Sequence, residues 1–234
     1  MSGTDIALTA ADGGNFTAYL AKPDPGTGPG IVVLQEIFGV NHILRDIADI
    51  LALQGYFAIV PDLFWRQEPG IQITDRTEAE WARAFELFQG FDVDLGIEDA
   101  KVALDHLRTV EGCSGQVGCV GYCLGGKLAY LMATRSDAEC NVGYYGVGLD
   151  ALLGEAANIT KPLLLHVASK DQFVPAEAQQ KIQAGLSGNP NVTLHLYEGQ
   201  DHAFARPGGD HYDAAAAELA NRRSLEYLKG NLSR

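Results

Sequence analysis

The stretch Val117-Gly-Cys-Val-Gly-Tyr-Cys-Leu-Gly-Gly-Lys127 decides the fold. Val117 to Tyr122 is an apolar run with the length and flanks of a buried strand. Lys127 to Ala133 reads as a helix with small and apolar faces. Cys123 stands between them, framed as Gly121-x-Cys123-x-Gly125. This is the glycine-flanked elbow that turns a strand sharply into a helix and holds up a nucleophile, here with sulfur where a serine hydroxyl is usual. The glycines have a steric reason, because the turn leaves no room for side chains two positions to either side. The bend presents the thiol at the carboxyl end of a sheet, on the first turn of a helix. There the backbone amides and the positive end of the helix dipole favour a thiolate. The competing account is a small buried cysteine beside a tight turn, since free cysteine is among the most buried residue types.

Working outward, Ile6–Ala10 and Phe16–Ala21 alternate around a glycine-bearing turn, which predicts an antiparallel hairpin at one edge of the sheet. Ile31–Gln35 is a buried strand, and Asn41 is placed to cap a helix over Ile43–Gln54. Tyr56–Val60, Cys140–Gly146, Pro162–Ala168 and Val192–Tyr197 read as further strands. Helices are predicted over Glu78–Gln89, Asp94–Val110, Ala176–Leu186 and Ala214–Leu228. On the first of these, Trp81, Phe85 and Phe88 recur at helical spacing and read, on amphipathicity alone, as a core-facing stripe. Strands alternating with helices predict an α/β fold with a mostly parallel, doubly covered sheet. No composition shift marks a boundary, so residues 1–234 read as one domain.

Thirty acidic against 17 basic side chains give a formal net charge of -13. That balance argues against nucleic acid or an anionic membrane as partner, and an acidic ligand would need a local cation. The start of the chain lacks a basic, apolar export signal, so the expected setting is cytoplasmic, with Cys113, Cys119, Cys123 and Cys140 reduced. Their spacing fits no zinc pattern, and neither a metal nor another cofactor is expected.

An activated thiol needs a base, and the base needs a partner that fixes its tautomer. Asp171 follows the Leu163–Ala168 strand by three residues, and His202 follows the strand ending at Tyr197. Nucleophile, acid and histidine thus come in the α/β-hydrolase order, each just past a buried strand. Among the other histidines, His166 lies within an apolar strand and reads as core, while His211 is the nearest rival to His202. An oxyanion needs two amides. Leu124 supplies one by position, and the loop after the Ile31 strand points to Ile37 for the second. Glu36 would then stand beside the thiol, and its charge would keep Cys123 largely protonated until substrate arrives.

At these residues the chain resembles the dienelactone hydrolases (carboxymethylenebutenolidases). The likeness is most specific at Gln35–Asn41, Gly55-Tyr56 with Pro61-Asp-Leu63, Val120–Gly126, Gly143–Gly148, Asp171–Pro175 and His202–Arg206. It implies a monomeric α/β-hydrolase that opens an enol-lactone in aromatic or chlorocatechol catabolism. Cys123 would be the nucleophile, His202 the base, Asp171 its orienter, and Glu36 the residue that helps deprotonate the thiol when substrate binds. Arg206 would hold the substrate carboxylate, with Phe38, Trp81, Phe85 and Tyr145 as further substrate contacts. The sequence also departs from the family pattern. Trp81 and Phe85 occupy places where an arginine and a tyrosine are expected, and Ala203 stands where a serine is expected. The clamp on a carboxylate is thinner, so a less acidic lactone or ester becomes an alternative substrate.

Three other readings compete. A ligand-binding protein on the same fold needs no triad, and the full set of Cys123, Asp171, His202 and Glu36 argues against it. A Cys119–Cys123 dithiol spans about 13 Å along a strand, beyond disulfide reach. Nucleotide binding at Gly143-x-x-Gly146-x-Gly148 has the wrong glycine order.

Overall fold

A computed structural model describes residues 3–232. The chain divides into two compact units, Met1–Gly118 and Cys119–Arg234, and the boundary falls inside a strand. The fold is α/β, with mostly parallel strands and an antiparallel pair at the amino-terminal end.

In the first unit, β1 (Thr4–Thr9) and β2 (Asn15–Ala21) form the expected hairpin. β2 also pairs antiparallel with β4 (Phe57–Pro61), which runs parallel to β3 (Gly28–Leu34). Every residue of β4 is buried. Successive side chains of a strand point to opposite faces, so both faces of β4 are covered, as a continuous apolar run requires. Helix α1 (His42–Leu53) is capped by the Asn41 side chain, which accepts from the Leu44 amide as its sequence position foretold. Helix α2 spans Glu78–Gln89 and opens on a reciprocal cap between Thr77 and Glu80. Its fully buried residues are Ala84 and Leu87, whereas Phe85 is exposed, so the aromatic stripe is not the face that enters the core. Helix α3 covers Val93–Thr109.

In the second unit, β5 (Cys113–Tyr122, whose first six residues belong to the first unit), β6 (Asn141–Tyr144), β7 (Leu163–Ala168) and β8 (Val192–Tyr197) are parallel neighbours in that order. Helix α4 (Leu124–Arg135) starts directly behind Cys123, and ten of its twelve residues are buried, which fits its small and apolar composition. A 3₁₀ segment, Leu149–Asn158, follows β6. Helices α5 (Ala176–Leu186) and α6 (Ala214–Leu232) complete the unit. In a parallel sheet all strands exit at one edge, so the residues just past β5, β6, β7 and β8 converge at that edge.

Candidate active site

The elbow is built as its glycines require. A Cβ on Gly121 would run into the Gly125 carbonyl oxygen, and one on Gly126 into the Tyr144 carbonyl oxygen. Cys123 has φ 55° and ψ -112°, a conformation rare for a residue with a side chain. Such strain persists only where neighbours over-determine it. Here the Cys123 amide donates to the Tyr144 carbonyl at 3.1 Å, and its carbonyl accepts the first helical bond from Lys127 at 3.2 Å. As the first residue of α4, Leu124 has an amide with no acceptor inside its own helix.

Asp171 and His202 meet over this elbow. His202 Nδ1 lies 2.8 Å from Asp171 Oδ2, and both side chains are buried. The other oxygen, Asp171 Oδ1, accepts from the Phe173 amide at 2.8 Å, which fixes the carboxylate plane. With Nδ1 taken by the carboxylate, Nε2 is the ring nitrogen left for the Cys123 sulfur, with which His202 shares a hydrogen bond. Burial alone would lower the His202 pKa. The neighbouring Cys123 and the Asp171 hydrogen bond outweigh it and raise the group to about 10.

The two loops that carry acid and base are stitched together. The Ser169 amide donates to the Tyr197 carbonyl, Lys170 to Gln200, and Gln172 to the Asp201 carboxylate. Asp201 also accepts from the His202 amide at 2.6 Å. Behind the base, Phe204 is fully buried against Tyr145 and Tyr197. Tyr145, itself at φ 38°, sets its ring edge-on to the His202 ring at 5.1 Å. Ala203 takes φ 62° in the same turn, and Arg206 is 91% buried within this loop. Phe173 also meets the His202 ring edge-on, at 4.8 Å, and stays exposed. Sequence reasoning passed over Phe173, although it lies within the Asp171–Pro175 stretch. His211 Nδ1 lies 3.2 Å from the His202 carbonyl oxygen, so it meets this loop at the backbone and not at the Asp171 carboxylate that His202 holds.

The remaining expected residues belong to the first unit. Glu36, Ile37 and Phe38 form a buried turn after β3. The Gln35 side chain accepts from the Leu63 amide at 2.9 Å, and the Phe38 carbonyl accepts from Ile73. Phe38 meets Trp81 edge-on at 5.2 Å, and Trp81 stacks on Phe85 at 5.6 Å. The Trp81 indole N–H donates to the Asp75 carbonyl at 2.9 Å, which keeps the ladder's polar atom engaged. Among the described residues no group of three or more His, Cys, Asp or Glu side chains is placed to hold a metal ion.

The dienelactone hydrolase family model matches residues 16–232. The chain belongs to the dienelactone hydrolase family. A relative from Azospirillum brasilense is 54% identical over 98% of this chain and 99% of its own length. The carboxymethylenebutenolidase of Pseudomonas putida is 41% identical over 95% of this chain and 94% of its own length. A crystal structure from Klebsiella pneumoniae subsp. pneumoniae MGH 78578 matches with a TM-score of 0.81 at 26% identity, covering 96% of this chain and 98% of that one. The fold is therefore that of the α/β-hydrolases, and the protein is a hydrolase of this family. No helix among the described residues is long and apolar enough to cross a membrane.

Proposed function

We propose that the protein hydrolyses an enol-lactone through a Cys123 thioester, with His202 as base and Asp171 as its orienter. One observation carries the reading. An imidazole fixed by a buried carboxylate at 2.8 Å shares a proton with a cysteine held on a strained strand-to-helix turn. In the proposed reaction the Cys123 sulfur attacks the lactone carbonyl, and the amide of Leu124 stabilises the oxyanion. The ring C–O bond breaks, the enol oxygen takes the proton held by His202, and the acyl group rests on sulfur. Water then attacks the thioester while His202 takes its proton, and the acid and the free thiolate are released.

For Glu36 and the Ile37 amide we keep the roles the family resemblance implies, an assisting carboxylate and a second oxyanion donor. We likewise propose Arg206 as the cation for a substrate carboxylate, and Phe38, Trp81, Phe85 and Tyr145 as the apolar contacts.

The named substrate type is a dienelactone opened to maleylacetate in aromatic catabolism, by a single chain in the cytoplasm. The four free cysteines fit a reducing compartment. A second reading is a lactone or ester of lower acidity. It is favoured by the Phe38–Trp81–Phe85 ladder, whose indole N–H is already engaged with Asp75. Turnover of a dienelactone and of a p-nitrophenyl ester by wild type and Cys123→Ala tests the proposal. The wild type is expected to turn over at least one of them and Cys123→Ala neither, and equal background rates for both proteins would instead indicate a binding protein.

A further inference from the structure

Beneath the triad lies a second set of polar side chains, carried by β6, β7, β8 and α6, that the hydrolytic steps do not use. Arg223 Nη1 donates to Tyr197 Oη at 3.2 Å. Tyr197 Oη lies 2.8 Å from His166 Nδ1, and His166 Nε2 lies 2.9 Å from Ser224 Oγ. Ser224 Oγ is 2.6 Å from Tyr144 Oη, which donates to Asn221 Oδ1 at 3.0 Å. Tyr144, His166 and Ser224 are buried, while Asn221 is exposed and Arg223 half-buried. The chain therefore enters from one surface residue of α6 and returns to another two positions away.

Donor counting gives the chain one direction. Arginine only donates, so Tyr197 Oη accepts there and gives its own proton to His166 Nδ1. A neutral His166 then carries its proton on Nε2 and donates to Ser224. Ser224 donates to Tyr144, and Tyr144 to Asn221. With the opposite tautomer one of the five contacts would hold no proton. Burial first, with the nearby His195 and Arg223, keeps His166 neutral by pushing it down to about 3.

This chain passes beside the residues that assemble the triad. The Tyr144 carbonyl accepts from the Cys123 amide, and the Tyr145 amide donates to the His166 carbonyl at 2.8 Å. The Tyr144 ring packs on the His166 ring at 4.3 Å between centroids, and the Tyr145 ring packs on His202. The Tyr144–Tyr145 step thus touches both the nucleophile and the base, and Tyr145 holds a left-handed φ that needs outside support. We propose that Ser224 is a positioning residue, closing the Arg223–Tyr197–His166–Ser224–Tyr144–Asn221 chain that fixes this step and, through it, Cys123 and His202. The inference rests on the cysteine-hydrolase reading above.

The test is steady-state hydrolysis of p-nitrophenyl acetate by the full chain and by Ser224→Ala, Tyr144→Phe, their double variant, Ser224→Thr and Cys123→Ala. Thermal melts confirm that each variant is folded at the assay temperature. Ser224→Ala and Tyr144→Phe should each lower kcat about ten-fold with KM within about two-fold, because a small displacement of reacting groups slows chemistry more than binding. The double variant should be no slower than the slower single one, since both changes cut one chain. Ser224→Thr, which restores the hydroxyl, should recover most of the rate. If the added methyl prevents folding, Tyr144→Phe and the double variant still decide. Folded Ser224→Ala and Tyr144→Phe proteins with wild-type kcat, or with only KM raised, would overturn the positioning role while an inactive Cys123→Ala left the cysteine reading standing. Cys123→Ala at the wild-type rate would remove that reading, and this inference with it.

Discussion

His166 and His202 are both buried imidazoles of one structural unit, and their protons behave in opposite ways. His202, at the strand exits, is raised to about 10 because a sulfur and a carboxylate face its two nitrogens. His166, one strand back and 1% exposed, is lowered to about 3 by burial first and then by the nearby His195 and Arg223. Burial opposes the charged form of each by the same physics, so the partners alone decide the outcome. The rim of the sheet is arranged to carry charge, and the layer beneath it to hold direction without charge.

The largest effect should come from breaking the rim. His202→Ala is expected to lower kcat on the order of 10²–10⁴-fold, the span of a lost general base. Asp171→Asn should fall in the lower part of that range, because the ring stays in place while its tautomer is no longer set. Wild-type turnover by either variant would show that the two histidines do not differ in function. Next, Arg206→Ala should weaken binding of carboxylate-bearing lactones by about 1.5–3 kcal/mol, roughly ten- to hundred-fold, and leave neutral esters unaffected. A panel of paired acidic and neutral lactones measures this directly, and an equal loss for both would remove Arg206 from carboxylate recognition.

His166 is sharpened by acid unfolding. Its folded pKa lies below the ordinary 6.5, so above pH 6.5 the group is neutral in both states and has no effect. As pH falls from 6.5 toward about 3, the unfolded chain gains a proton that the folded one refuses, and stability is lost. The slope is about 1.4 kcal/mol per pH unit for one such group. Urea unfolding at pH 6.5, 5.5 and 4.5 should therefore show a shallower acid loss for His166→Gln than for wild type. Identical slopes would mean that His166 is protonated in the folded protein after all.

Much of this was legible in the amino acids, for identifiable reasons. Helices α2 and α5 and strand β8 begin and end where the sequence predicts, because Thr77, Gly90 and Pro175 punctuate the helices and alternation marks the strand. That Cys123, Asp171 and His202 come together was legible because each follows a strand and their order is informative, although β8 ahead of His202 buries only Tyr197. Other boundaries moved. β5 starts at Cys113, four residues ahead of its apolar run, since Ser114, Gly115 and Gln116 give no hydrophobic signal. α6 runs past Gly230 to Leu232, because Leu228 and Leu232, one turn apart, both enter the core. The 3₁₀ segment was not foreseen. Neither was the Ser224 chain, whose contacts join residues up to 80 positions apart. Ser224 in a helix and Tyr144 in a strand look ordinary until the fold brings them together.

The path of that chain changes how α6 should be treated. Tolerance to shortening depends on the burial and hydrogen bonding of the segment removed. Here α6 supplies three of the six linked side chains, Asn221, Arg223 and Ser224, within its second and third turns. A deletion that reaches back through residue 221 would leave Tyr144, His166 and Tyr197 without those partners in the interior. Engineered versions should therefore keep α6 whole.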